Sequence, residues 1–276
     1  MAELVFTKLQ GNGNDFILVD EFEHELIPEE LKAKFASLYT ERRFGIGADG
    51  VLILSKGEKA PLKMRVFNPD ESEAEMCGNG GRCVARFAVL KGIAPPKLSF
   101  ETLAGIIEAE VSGRQVKLQM VRPTGLKLNL EVPIDGQTHQ LHFINTGVPH
   151  AAKLVDDAAG VAVKDLGRKI RFHGRFQPAG TNANFVQPVD RRHLKVRTYE
   201  RGVEDETLAC GTGAVASALI AAKIGLVDSP VEVQSTGGEI LKIYFQPQGE
   251  GFDRVFLEGD TRVVYEGDLW EEAYQY

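Results

Sequence analysis

The 276-residue sequence predicts an α+β protein of two similar domains, each with a central helix surrounded by mostly antiparallel strands. Three observations support this fold class. Short alternating segments fill most of the chain, as is typical of strands, and only about four segments have helical character. One motif, Cys-Gly-x-Gly, occurs twice, at Cys77 and Cys210. The motifs lie 133 residues apart, so each half of the chain contains one.

The similarity between the halves extends beyond the two cysteines. At the same shift of 133, Asp49 falls on Asn182 and several small residues coincide, in the pairs Gly78 and Gly211, Gly80 and Gly213, Ala85 and Ala218, Ala88 and Ala221, and Gly92 and Gly225. The period is far too long for a solenoid repeat. The shared register therefore indicates an old domain duplication.

Fourteen segments, separated by glycines and prolines, are predicted strands. They are residues 5–10, 15–20, 50–55, 63–68, 97–101, 106–111, 115–121, 126–132, 140–145, 184–188, 194–200, 231–235, 241–246 and 254–259.

Four segments are predicted helices. One covers residues 28–42 and begins at a proline, and its equivalent in the second half lies around 161–170. The other two follow the cysteines and end at Gly92 and Gly225, which suit left-handed helix C-termini. The second of these is apolar on all sides, so we expect it inside its domain.

The domain boundary is expected near residues 121–124, where Arg122-Pro123 interrupts the strand pattern. This gives an N-terminal domain of residues 1–122 and a C-terminal domain of 123–263. The tail of about 264–276 is expected to pack back on the first domain. One motif in each half suggests a single site built from both domains.

Composition excludes several classes of function. The net charge is −7 and the basic residues are scattered, so no nucleic-acid partner is expected. No apolar run approaches the length of a membrane span, and the N-terminus does not resemble a secretory signal. Three cysteines without a C-x-x-C spacing predict neither a disulfide framework nor a metal site. We expect a cytoplasmic protein with free thiols.

The paired cysteines predict a reaction class. A helix N-terminus stabilises a thiolate, and the glycines that follow leave backbone N–H groups free to hold a carboxylate. Two such helix ends around one carboxylate would place a sulfur on either side of the adjacent carbon. The expected reaction is therefore inversion at an α-carbon. Cys83 lacks this context and is expected to be an inert buried thiol.

Around these cysteines the sequence resembles the diaminopimelate epimerase family over essentially the whole chain. The matching segments are GNGNDF (11–16), GIGADG (45–50), FNPDESEAEMCGNGGRC (67–83), GVPH (147–150), TNANF (181–185) and YERGVEDETLACGTGA (199–214). The resemblance implies two strand barrels, each around a central helix, with the active site in the cleft between them. It also implies a homodimer without pyridoxal phosphate or any other cofactor.

The resemblance further implies roles for particular residues. Cys77 and Cys210 match the two catalytic cysteines, a thiolate base and a thiol acid, with His150 and Glu200 assisting proton movement. The residues that match substrate-binding positions are Asn14, Asn68, Gly78, Asn79, Asn182, Glu200, Arg201, Gly211 and Thr212. The implied substrate is LL-diaminopimelate, inverted at one centre to the meso form in lysine and peptidoglycan biosynthesis.

Two positions depart from the family pattern. Family members often have Asn where this chain has Val148, and some have Gln at the position of Gly50. Both concern the distal end of the substrate, not the proton transfer.

Three alternatives stay open at this point. Cofactor-free racemases of proline or hydroxyproline share the architecture but carry a histidine where this chain has Asn79, and isomerases of phenazine synthesis lack the thiol pair. A different class would use the same loops for redox sensing, through a Cys77–Cys210 disulfide, or for binding small anions.

Overall fold

The structure, a computed structural model, describes residues 4–270. The described chain divides into two compact units, unit 1 with residues 4–118 and 259–270 and unit 2 with residues 119–258. The sequence placed the boundaries at 122/123 and 263/264. Residues 271–276, the end of the predicted tail, lie outside the described residues.

Unit 1 contains eight strands and two α-helices. The strands are β1 (Leu4–Gly11), β2 (Asn14–Glu21), β3 (Gly50–Lys56), β4 (Leu62–Phe67), β5 (Glu73–Ala74), β6 (Lys97–Thr102), β7 (Gly105–Ser112) and β8 (Gln115–Gln119). The helices are α1 (Lys32–Tyr39), preceded by a 3-10 turn at Glu29–Leu31, and α2 (Gly78–Leu90). The predicted helix over 28–42 is therefore shorter than expected.

Unit 2 repeats this composition. Its strands are β9 (Thr124–Ile134), β10 (Gln137–Asn145), β11 (Pro149–Leu154), β12 (Asn182–Pro188), β13 (His193–Glu200), β14 (Asp205–Thr207), β15 (Val231–Gln234) and β16 (Ile240–Gln248). Its helices are α3 (Val163–Phe172), followed by a 3-10 turn at Gly174–Phe176, and α4 (Gly211–Lys223). The last strand, β17 (Gly251–Leu269), contributes its first residues to unit 2 and its remainder to unit 1, where it pairs with β1.

Strand pairing follows the same order in both units. In unit 1, β1–β2 and β3–β4 are antiparallel, β2–β3 and β4–β6 are parallel, and β6–β7 is antiparallel. In unit 2 the corresponding pairs β10–β11, β11–β12, β12–β13, β13–β15 and β15–β16 have the same directions. The predicted fold class, two similar and mostly antiparallel domains, is confirmed.

The helix after each cysteine lies in the core of its unit. In α2 the residues from Asn79 to Ala85 are all buried, and in α4 the run from Gly213 to Ala221 is buried. Both helices end in a left-handed glycine, Gly92 with φ 72° and Gly225 with φ 80°. The N–H of the apolar residue after each glycine bonds back to the helix, which completes a Schellman cap.

All fourteen predicted strands have a counterpart in the structure, and three further strands were missed. These are β5, β11 and β14. The strands β5 and β14 have only two and three residues, too few for an alternation pattern. In the part of the chain that is described, no helix is long and apolar enough to cross a membrane.

Candidate functional site: two cysteine half-sites

Cys77 is the N-cap residue of α2. Its backbone is extended, with φ −133° and ψ 117°, and its Sγ accepts a hydrogen bond from the Gly80 N–H at 3.4 Å. A sulfur therefore occupies the place where a serine or aspartate oxygen usually caps a helix. The unpaired N–H groups and the helix dipole at this position favour the thiolate.

Cys210 is the N-cap residue of α4 with nearly the same backbone, φ −124° and ψ 105°. Its Sγ lies 3.7 Å from the Thr212 Oγ1. The two predicted catalytic residues thus have equivalent local geometry, one in each unit.

In unit 1, two asparagines flank Cys77. Asn14 begins β2, and its Oδ1 lies 3.9 Å from the Cys77 Sγ and accepts a hydrogen bond from the Asn79 Nδ2 at 3.2 Å. Its own Nδ2 donates to Asp49 Oδ2 at 2.7 Å. The structure therefore brings Asn14, Asn79 and Cys77 together, as the sequence suggested.

A cluster of four charged residues, Lys8, Asp15, Arg42 and Asp49, holds the side chain of Asn14 in place. Asp15 receives hydrogen bonds from Arg42 and an ion pair from Lys8, and Arg42 also binds Asp49. Burial acts to raise the pKa of Asp15, but these cations outweigh it and lower that pKa to about 2. Asp15 is therefore ionised across the working pH range, and the cluster fixes the orientation of Asn14.

Asn68 lies further along the chain, in the turn between β4 and β5. Its N–H donates to the Ser72 carbonyl at 2.8 Å and its Nδ2 to the Ser72 Oγ at 2.9 Å. These contacts belong to the turn itself. A role of Asn68 toward a substrate stays a prediction.

In unit 2, a buried polar network lies next to Cys210. The Asn184 Nδ2 is 3.1 Å from the His150 Nδ1 and donates to the Ala151 carbonyl, while its Oδ1 accepts from the Thr198 Oγ1 at 2.9 Å. A Cβ built on Gly213 would lie 2.6 Å from the Asn184 Oδ1 and 3.2 Å from the Cys210 Sγ. Asn184 therefore packs against the first turn of α4. Asn184 lies within the TNANF segment (181–185), but nothing in the sequence distinguishes it from its neighbours.

His150 is fully buried on β11. Burial and the nearby charge of Arg201 lower its pKa to about 3, while the contact with Asn184 opposes the shift. The imidazole is therefore neutral at physiological pH. Because the Asn184 amide N–H faces Nδ1, the proton lies on Nε2, which has no hydrogen-bond partner in the described residues.

Three other predicted residues meet at the ends of β12 and β13. The Asn182 Nδ2 donates to the Pro149 carbonyl at 3.0 Å, and its Oδ1 accepts from the Arg201 N–H at 2.7 Å. Glu200 accepts a hydrogen bond from the Thr207 Oγ1 at 2.8 Å. Burial raises the pKa of Glu200, although that bond opposes the shift. A carboxyl with a raised pKa is suited to move a proton.

In each unit, a bidentate Arg–Glu ion pair, here called an Arg–Glu fork, holds the short strand before the cysteine. The forks are Arg65–Glu73 in unit 1 and Arg197–Glu206 in unit 2. In both, the guanidinium Nε and Nη2 each donate to a carboxylate oxygen at 2.7–2.8 Å. The glutamates lie on β5 and β14, each of which ends three residues before its cysteine. The sequence analysis did not predict these forks. At the offset of 133 residues, Glu73 falls on Glu206 and Arg65 falls one position away from Arg197.

Replacing Glu206 by glutamine is expected to lower activity about tenfold and the free energy of unfolding by about 1–3 kcal/mol, because a charge-assisted bidentate contact is lost. Glu73→Gln should act similarly in unit 1 because the geometry is the same. The measurements are steady-state rates and urea unfolding. Glu232→Gln is the control, because Glu232 pairs with Lys242 on the neighbouring strand and not with an arginine fork. Equal effects of all three variants would contradict the positioning role.

The buried His150 predicts a dependence of stability on pH. Its pKa of about 3 lies below the unfolded value of 6.5, so the unfolded chain binds a proton that the folded protein excludes. Stability from this group is complete above pH 6.5 and is lost as the pH falls toward 3. Between pH 7 and pH 4.5, we expect this loss to be about 2–3 kcal/mol.

Urea unfolding at both pH values checks this expectation. In His150→Gln the loss between pH 7 and pH 4.5 should be smaller by the stated amount. The matched control is His193→Gln, at a half-exposed histidine on the surface of the same unit. The same pH dependence in His150→Gln and in the unaltered protein would refute a neutral buried imidazole.

Cys83 is fully buried, and burial raises its pKa to about 12. It is therefore a protonated core residue, as expected from the sequence. At Gly50, a Cβ would lie 3.1 Å from the Phe67 carbonyl, so the absence of a side chain allows close packing of β3 on β4. The carbonyl of Val148 accepts a hydrogen bond from the Thr146 N–H at 3.2 Å.

Solved structures of other proteins share this fold. A Bacillus anthracis phenazine biosynthesis protein of the PhzF family aligns with a TM-score of 0.75 over 98% of this chain and 100% of its own, at 15% identity. A probable proline racemase from Agrobacterium radiobacter K84 aligns with a TM-score of 0.69 over 99% and 94% of the two chains, at 16% identity. At these identities the likeness establishes the fold.

Sequence comparison is more specific. The diaminopimelate epimerase family profile matches residues 6–125 and 142–263. Diaminopimelate epimerase of Aquifex aeolicus is 46% identical, covering 98% of this chain and 99% of its own. That of Methanocella arvoryzae is also 46% identical, covering 98% of each chain. The chain belongs to the diaminopimelate epimerase family.

Proposed function

We propose that this protein interconverts LL- and meso-diaminopimelate, with one cysteine acting as thiolate base and the other as thiol acid. The observation that carries the proposal is the matched pair of N-cap cysteines, each before a buried helix in its own unit, in a chain of this family. The proposal requires both half-sites to engage one substrate.

The proposed proton transfer balances without a cofactor. The α C–H bond breaks as the thiolate forms an S–H bond, and the thiol on the opposite face gives its proton to the carbon. After one turnover the two sulfurs have exchanged protonation states. The N–H groups at Gly78-Asn79 and Gly211-Thr212 would bind the α-carboxylate and stabilise negative charge that develops beside it.

The remaining predicted residues would hold the rest of the substrate. In unit 1, the fixed orientation of Asn14 presents an amide oxygen next to Cys77. In unit 2, the Arg201 N–H donates to the Asn182 side chain, and the partly buried Glu200 directly precedes Arg201 in the chain. Neutral His150, with its proton on Nε2, is suited to donate a hydrogen bond rather than to carry charge.

One observation favours diaminopimelate over proline-type substrates. Racemases of proline carry histidine where this chain has Asn79, and Asn79 is integrated into its surroundings: its Oδ1 accepts from Arg82 at 2.7 Å and its Nδ2 donates to Asn14. A histidine could not reproduce both contacts with the same geometry.

Incubation with LL- or meso-diaminopimelate in D2O tests the proposal. We expect α-deuterium incorporation together with interconversion of the isomers, without added pyridoxal phosphate. Proline and trans-4-hydroxyproline are the control substrates. Exchange into neither diaminopimelate isomer would refute the proposal, and exchange into proline would select the racemase alternative.

We further propose that the protein acts as a homodimer in the cytoplasm. Both follow from the family resemblance. Sedimentation velocity at micromolar concentration would measure the assembly state, and a monomer with full activity would contradict the dimer.

A further inference from the structure

The helix that follows Cys77 contains a buried cation that the helix after Cys210 lacks. Arg82 is 0% exposed, and it lies five residues after Cys77. The residue five positions after Cys210 is Val215, which packs in the apolar core of unit 2. The duplicated half-sites therefore differ by one positive charge at the same place.

The contacts of Arg82 are neutral. Its Nη2 donates to the Asn12 Oδ1 at 2.6 Å and the Asn79 Oδ1 at 2.7 Å, and its Nη1 to the Gly78 carbonyl at 3.3 Å. Its Nε has no partner in the described residues. Burial lowers the pKa of Arg82 to about 10, so it stays charged at neutral pH. A buried charge without a carboxylate is costly, and an anion within electrostatic reach would offset that cost.

The Arg82 guanidinium lies against the first turn of α2, where it binds the Gly78 carbonyl and the Asn79 side chain, and its charge acts on Cys77, Cys83 and Asp260. Cys83 is kept protonated by burial. Asp260 already pairs with Arg114 at 3.3 Å and Arg262 at 2.9 Å. Of the three groups, Cys77 is therefore the one that can supply an anion to offset the charge of Arg82. Its sulfur already accepts a hydrogen bond from the Gly80 N–H at the helix N-terminus.

The charged groups around Asn14 form ion pairs with one another. Asp15 and Asp49, behind Asn14, are neutralised by Lys8 and Arg42. They therefore add little net field at Cys77, whereas Arg82 has only neutral hydrogen-bond partners in the described residues.

The surroundings of Cys210 differ. Three threonines, Thr198, Thr207 and Thr236, line the pocket beside it. Glu200 binds Thr207, and its carboxylate form would disfavour a second negative charge nearby. Arg201 is directed to the Ala179 carbonyl, and His150 is neutral.

We propose that the resting protein holds Cys77 as the thiolate and Cys210 as the thiol, with Arg82 as the residue that sets this order. The inference rests on the proposed function, since it assigns the starting roles of the two sulfurs. Arg82 affects the reaction only through Cys77, because its positive charge favours the thiolate there. It is therefore a positioning residue. The free protein would thus be ready to remove a proton at Cys77 and deliver one from Cys210.

Alkylation of the resting protein tests the order without any substrate. Brief iodoacetamide pulses across a pH series, followed by tryptic peptide mass spectrometry, give a separate profile for each cysteine. Cleavage after Arg82 separates the peptides of Cys77 and Cys83. Both Cys77 and Cys210 are partly exposed, so each profile can be normalised to its own plateau at high pH.

In the unaltered protein, the midpoint for Cys77 should lie about one pH unit or more below that for Cys210, the size of shift a nearby opposite charge causes. Equal midpoints, or the reverse order, would overturn the proposal. This comparison needs no variant, so a folding defect cannot obscure it.

Arg82→Met should raise the Cys77 midpoint to at least that of Cys210 and leave Cys210 unchanged, with fragment ions resolving the longer peptide. Arg82→Lys, which keeps the charge, should preserve the order. Arg86→Met is the matched control: it removes the same charge one turn further along α2, where Arg86 donates to the Thr261 carbonyl, and should leave Cys77 unchanged.

The outcomes separate this inference from the proposed function. A protein with the predicted order but no deuterium exchange into diaminopimelate would refute only the function. A protein that epimerises diaminopimelate but shows equal midpoints would refute only the role of Arg82. In an active protein, Arg82→Met should reduce kcat/KM in both directions by the same factor, because the equilibrium constant fixes their ratio.

Discussion

Alanine at Cys77 or at Cys210 is expected to reduce epimerisation by about 10³-fold or more, because each substitution removes one proton-transfer group that the reaction cannot bypass. The fold should survive. Both sulfurs are partly exposed at helix N-termini, so truncation creates no large buried cavity. The small loss that remains is that of a helix cap, about 1 kcal/mol.

Chiral chromatography of the two diaminopimelate isomers measures the rate, and thermal unfolding monitors the fold. Cys83→Ala is the matched control, since it is the same substitution six residues further along the chain at a fully buried thiol. It should cost about 1–2 kcal/mol of stability and leave the rate nearly unchanged. Epimerisation at an undiminished rate in either Cys77→Ala or Cys210→Ala would disprove the two-thiol mechanism.

Gly213→Ala is expected to have the second largest effect, a fall in activity of about 10²-fold, because displacing a catalytic group by a fraction of an ångström to 1 Å is costly. The new Cβ would lie 2.6 Å from the Asn184 Oδ1 and 3.2 Å from the Cys210 Sγ. Asn184 cannot easily move away, since Thr198 and the Ala151 carbonyl hold its amide. Either the cysteine or the buried network must shift.

The first unit provides two control variants, Gly80→Ala at the helix position equivalent to Gly213 and Gly78→Ala two residues before it. In Gly80→Ala, the new Cβ would meet a terminal methyl of Leu52 at 2.8 Å, and an apolar core side chain can shift without breaking a hydrogen bond, so a loss below about tenfold is expected. Gly78→Ala meets nothing within 4 Å and should fold normally. Steady-state rates and urea unfolding rank the three variants. A Gly213→Ala protein as active as Gly80→Ala would argue against a rigid network at Cys210.

Alternation and glycine placement were enough to predict most of the fold from sequence. They located fourteen strands and both buried helices, because each of those elements has a local pattern. β5 and β14 were missed because they exist only through pairing with β4 and β13. β11 was missed because its sequence, PHAAKL, does not alternate.

The residues of the candidate site divide in the same way, into those marked by a local sequence motif and those whose importance depends on the fold. The cysteines, Asn14 and Asn79 could be found because they belong to short motifs. Arg82 lies within one of those motifs, but its importance depends on complete burial, which sequence does not report. Asn184 was overlooked for a similar reason: its partners His150 and Thr198 come from other strands.

The two Arg–Glu forks bear on how the duplicated domains of the protein evolved. Arg65–Glu73 and Arg197–Glu206 have nearly identical geometry, whereas Arg82 and Val215 have diverged. An ancestral single domain that paired with a copy of itself would have held two thiols related by symmetry, each surrounded by the same residues. Fusion of two copies into one chain would remove that constraint. The scaffold around each sulfur could then be kept while the residues that set its electrostatic environment diverged.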